Sequence, residues 1–138
     1  MIQIHKPSKV YDGFNELEKA ICYAVLGNEP KDMKSLLVID HNFIKTYEDD
    51  DIDPENISNS RDIDEIGSFI QNFVPLSYVT LYNRNDGPTL QNYIEQYDNV
   101  HAICYLSNHH WVCIKDGGYI GNTEDTDSHV QFVWKIKR

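Results

Sequence analysis

Residues 101–122, HAICYLSNHHWVCIKDGGYIGN, decide the fold of this chain. The apolar run VHAICYL, a polar turn, the apolar run WVCIK, a glycine turn and GYIGN read as three strands joined by two hairpins. Asn108 and His109 suit the first tight turn. Centred there, the hairpin makes Cys104 and Cys113 face each other across the ladder, as small core residues rather than a redox pair. Asp116-Gly117-Gly118 supplies the positive φ of the second hairpin. His110 opens the strand shared by both hairpins, and Asn122 or Thr123 ends the strand beside it.

Outward from this hairpin the alternation continues. HVQFVWKIK predicts a closing strand with Val130, Phe132, Trp134 and Ile136 on one face. LSYVTLY, before the turn Asn85-Asp86-Gly87-Pro88, predicts another strand, and residues 89–97 a short helix. Before Pro75 the apolar period is 3.6 instead of 2. Residues 15–26 predict a helix with Asn15 as N-cap, Glu16 and Glu18 in its first turn and Gly27, Asn28 and Pro30 ending it. Its stripe is Phe14, Leu17, Ala20, Ile21, Ala24 and Val25, with Cys22 on the Glu18 flank. Residues 32–47 and 62–73 predict two more helices, the latter with Ile63, Ile66, Phe69, Ile70 and Phe73 inward. The acidic run at 48–53 lacks the glycine and terminal glutamate of an EF-hand loop and reads as a solvated loop. The expected class is α+β: helices over residues 14–73, then a mostly antiparallel sheet over 76–138, in one domain.

The 138 residues are 41% hydrophobic, enough for a core without disulfides or metal, and carry a net charge of −10. Such an acidic surface repels phosphate backbones, so nucleic acid is not an expected partner, whereas a protein with a basic surface is. The three cysteines, Cys22, Cys104 and Cys113, have no zinc spacing and fit a reducing compartment. The opening MIQIHKPSKVYDG has no apolar run of signal-peptide length, and no window matches a membrane span. The expectation is a cytosolic chain without membrane contact, metal or cofactor. Adjacent histidines on a strand point to opposite faces, so His109 and His110 do not form a metal pair.

His110 at the mouth of a sheet, with a polar side chain arriving on the next strand, has the layout of a proton shuttle and its orienting partner. The strand His110-Trp111-Val112-Cys113-Ile114-Lys115, the following Tyr119-Ile120-Gly121-Asn122 and the earlier helix ELEKAICYAVLG resemble papain-like cysteine peptidases. The closest types are the Josephin deubiquitinases and the bacteriocin-leader peptidases. IDEIGSFIQNF, YVTLYN and TLQNYIEQY occur in the order that resemblance implies, so it spans most of the chain. It implies a papain-like fold, His110 as base and Asn122 as its orienter. Thr123, Glu124 and Asp125 are the alternatives if the hairpin register slips.

The departure lies at the nucleophile. The family's cysteine sits in the first turn of the first helix, which here reads Asn15-Glu16-Leu17-Glu18. Cys22 stands about 10 Å further along, beyond the reach of the helix dipole. The expectation is therefore a catalytically degenerate domain that binds or inhibits a protein with a basic or ubiquitin-like surface, as a phage or viral effector would. One alternative is an active cysteine peptidase or deubiquitinase using Cys22, His110 and Asn122. The other is an unrelated acidic protein-binding domain.

Overall fold

The computed structural model describes residues 2–6, 9, 16–27, 60–82, 86–97 and 100–137. The expected helix at 32–47, the acidic run at 48–53, the Asn15 cap, Phe14, Asn28, Pro30 and Asn85 lie outside these residues. In chain order the elements are β1 (Gln3–His5), α1 (Glu16–Leu26), α2 (Ser60–Gln71), β2 (Leu76–Leu81), α3 (Leu90–Gln96), β3 (Ala102–Leu106), β4 (Trp111–Lys115), β5 (Gly118–Ile120), a 3-10 helix (Thr123–Asp127) and β6 (Val130–Ile136).

Among the described residues the strands form one six-stranded sheet in the order β1-β5-β4-β3-β6-β2. Every pairing is antiparallel except β1 with β5. The class is α+β, as the change of period predicts. Central β3 is buried along its whole length, so both sheet faces are covered. On one face Ile103, Tyr105, Trp111, Cys113, Phe132 and Trp134 pack with Leu17, Ala20, Ile21 and Ala24 of α1 and Ile66, Phe69 and Ile70 of α2. On the other, Cys104, Leu106, Val112, Ile114, Tyr119 and Val133 pack under Leu90, Tyr93 and Ile94 of α3. Thr89 caps α3, its hydroxyl accepting from the Asn92 N–H at 3.2 Å.

Three expectations change. Cys113 pairs with Ile103, and Cys104 with Val112. The pairing is shifted by one residue from the expected register, so the two cysteines lie on opposite faces. Val130 does not share a face with Phe132, Trp134 and Ile136 but joins the α3 side. Tyr105 pairs with Phe132 while Leu106 pairs with Val130, so Gln131 is the extra residue of a β-bulge, and alternation restarts beyond it. Cys22, placed by helical angle off the apolar stripe on the Glu18 flank, belongs to the core: it is fully buried, with Glu18 buried beside it, because α1 lies flat on β4 and β3 and buries more than its apolar stripe.

The β4–β5 turn takes its positive φ at Asp116 (55°) and Gly117 (76°). Gly118 serves another end: a Cβ there would stand 2.0 Å from the Gln3 carbonyl oxygen. Its missing side chain is what lets β1 pair alongside β5.

Candidate functional site

Position 110 is set by the β3–β4 turn. Leu106 donates its N–H to the His110 carbonyl at 2.9 Å, and the His109 N–H returns to the Leu106 carbonyl at 3.0 Å. His109 takes the left-handed backbone (φ 65°), and its Nδ1 meets the buried Tyr105 hydroxyl at 2.7 Å. The next residue, His110, is thereby delivered to the edge of the sheet above the first turn of α1.

Asp125 fixes the His110 ring. After β5 the chain folds into the 3-10 helix rather than continuing as a strand, which swings Asp125 back under the turn. Its Oδ1 lies 2.6 Å from His110 Nδ1 and accepts from Asn108 Nδ2 at 2.8 Å. Its Oδ2 accepts the Asn122 N–H at 2.9 Å. Asp125 is 1% exposed, and these three donors satisfy it. A carboxylate on Nδ1 holds the proton there and leaves Nε2 as the working nitrogen.

Nε2 faces Glu16, whose Oε1 lies 3.9 Å away. The other Glu16 oxygen accepts the Trp111 N–H at 3.3 Å. Among the described residues, the side chains that meet the His110 ring are Asp125 at Nδ1 and Glu16 at Nε2, while the Asn108 amide 3.2 Å from Nδ1 donates to Asp125. None carries a thiol or a hydroxyl. A pocket of about 70 Å³ opens alongside, lined by Glu16, Lys19, Ala20, Trp111, Ile120 and Asn122, with Gly121 at its wall.

The charges follow from this arrangement. Burial works against the His110 imidazolium, but the Asp125 hydrogen bond and the charges of Glu16, Asp125 and Glu124 outweigh it and hold its pKa above the ordinary value. Loss of solvation raises the Glu16 carboxyl, against the opposing pull of His110 and the Trp111 N–H. Burial, with Glu18 nearby, pushes the Cys22 thiol up to about 12. A thiol in that state supplies almost no thiolate at neutral pH.

Of the three residues singled out from sequence, only His110 stands at the centre of this constellation. Asn122 reaches it indirectly, through its backbone N–H on Asp125, and also lines the pocket. Asp125 holds the orienting position because the turn after Ile120 is helical. Cys22 sits six residues beyond Glu16 on α1, about 9 Å along the helix axis. Glu16, read from sequence as a favourable first-turn charge in the turn where the family's cysteine would stand, is the residue that meets His110. The Asn122-Thr123-Glu124-Asp125 spacing, a polar residue answered three positions on by a carboxylate, was the signal for Asp125. His110, Glu124 and Asp125 bring one donor atom each within 4.8 Å of one another. A cation there would compete with the hydrogen bonds that hold Asp125, so the cluster is better explained as a hydrogen-bonded set.

No family model matches the chain, and comparisons with curated proteins and with solved structures return no match.

Proposed function

We propose that this chain is a catalytically degenerate papain-like domain that works as a cytosolic protein-binding or inhibitory module, of the kind a phage or viral effector uses. The observation that carries this reading is Glu16. A base oriented by a carboxylate faces the first turn of a helix, which is where an attacking group would stand. The side chain standing there is a carboxylate, 3.9 Å from Nε2. It offers the ring a carboxylate oxygen instead of a thiol or hydroxyl proton.

The alternative of an active peptidase using Cys22 has less support. The thiol is fully buried and raised to about 12, and the ring it would need is occupied by Glu16 and Asp125. The contact region for a partner is then the pocket beside Glu16 and the acidic surface around it. A basic or ubiquitin-like protein surface matches the net charge of −10.

Titration calorimetry with ubiquitin and with a basic peptide tests this reading. Saturable binding that weakens at higher salt and is lost on Asn122→Arg, which fills the pocket, is the expected result. Absence of binding to either, or binding indifferent to Asn122→Arg, removes the cleft from the account.

A further inference from the structure

We infer that the exposed edge of β2 is a self-association surface, through which two copies of this chain pair antiparallel across a twofold axis. The inference is independent of the cleft.

Among the described residues β2 is the last strand of the sheet and pairs only with β6. The Tyr82 N–H donates to the Gln131 carbonyl at 2.9 Å. Alternation then turns the Thr80 amide toward β6 and the Val79 and Leu81 amides away from the sheet. Val79 and Leu81 are also large apolar side chains left exposed, at 38% and 45%. They pair with Trp134 and Phe132, so they extend the α1/α2 face of the core to the sheet edge. α2 meets the start of β2, where Leu76 lies near Gly67.

Charge identifies the occupant. The chain is 25% charged and strongly acidic, so most approaches of one copy to another are repulsive. Residues 66–83 carry no Asp, Glu, Lys or Arg, and β2 lies inside that run. Solvent-facing edge strands are ordinarily guarded by lysine, proline or an inward charge. This one has none of those between Leu76 and Leu81. It is the edge where a second copy meets no like charge.

The geometry is self-complementary. With the twofold at Thr80, Val79 of one copy faces Leu81 of the other, and the reverse. Their outward amides and carbonyls exchange two reciprocal pairs of backbone hydrogen bonds, and their side chains stand together on one face. The two sheets become one. Thr80 meets its own copy as a non-hydrogen-bonded pair, with Cα atoms about 4.5 Å apart.

Sedimentation equilibrium on the full chain gives the test. We expect half-dimerisation near about 0.1 mM, tightening several-fold between about 0.05 M and about 0.5 M salt as repulsion between the acidic bodies is screened. Leu81→Pro removes one outward amide and no β2–β6 bond, and should raise the dissociation constant at least about tenfold. Leu81→Lys, which leaves the backbone intact, should do the same. In a glutathione redox buffer Thr80→Cys should form a disulfide-linked dimer, since that Cα spacing lies within the roughly 4.4–6.8 Å range of disulfides. The native cysteines are buried and do not compete. A chain that stays monomeric at both salts overturns the inference. So does a dimer that survives Leu81→Lys, or one that yields no disulfide with Thr80→Cys.

Discussion

Replacing Glu16 by cysteine places a thiol where the carboxylate now meets His110. A cysteine is two bonds shorter than a glutamate, so from the observed 3.9 Å the sulfur would retreat to about 5–6 Å from Nε2. At an effective dielectric of about 20 an imidazolium at that distance favours a thiolate by about 3 kcal/mol. Glu16 is 42% exposed, so solvent screening roughly halves this, to about one pKa unit. The first turn of α1 adds about 0.3–1 kcal/mol more. The same loss of solvation that raises the Glu16 carboxyl raises this thiol too, so the imidazole is read as a difference: with His110 present the thiol should titrate about one unit lower than with His110→Ala. Below both values that is about a tenfold larger thiolate fraction, of which lower intrinsic nucleophilicity returns about a factor of three. The net gain in alkylation rate is about threefold. The assay is the pH–rate profile of iodoacetamide labelling of Glu16→Cys, read by mass spectrometry, with and without His110→Ala. The profile should move about one unit higher when the imidazole is removed. An ordinary thiol profile in both variants would refute the placement of Glu16 against His110.

Other consequences can be checked on stability. His110 and Glu16 both have raised pKa values in the folded state, so both favour the fold when protonated. For His110 the contribution is complete below its unfolded value of about 6.5 and is lost as pH rises through the higher folded value. Urea titrations should show stability declining across that window, with a flatter profile for His110→Gln. At alkaline pH the buried thiols take over: burial pushes Cys22 and Cys113 up to about 12. Above about pH 9 the unfolded chain loses these protons and the folded chain keeps them, so each thiol removes about 1.4 kcal/mol of stability per pH unit. Cys113→Val should reduce that slope by one thiol's share. Gly118→Ala brings a Cβ to 2.0 Å from the Gln3 carbonyl and should expel β1, costing about 2 kcal/mol and raising hydrogen exchange along β5.

The sheet was largely legible in the sequence, because alternating apolar residues with Asp116-Gly117 between them leave little choice of register for β4 and β5. β3 and β4 were placed correctly but offset by one residue, since His109 accepts a left-handed backbone that composition alone does not reveal. The bulge at Gln131 was not legible. A single extra residue in β6 changes the face of Val130 while leaving the apolar pattern intact. At the site, His110 stood out by its position at a strand start. Asp125 stood only among the alternatives to Asn122, because the 3-10 helix that carries it back under the turn was not legible. Glu16 was obscured by its type, since a glutamate in a first helical turn ordinarily needs no partner beyond the helix itself. Only the packing of α1 on β4 brings it to the imidazole.

The central claim is that Glu16 occupies the place of an attacking group and leaves the domain without one. Incubating the native protein with an electrophilic ubiquitin or peptide probe tests this most directly. The account predicts no covalent adduct under native conditions. An adduct that forms on the native chain and disappears with Cys22→Ala would contradict it.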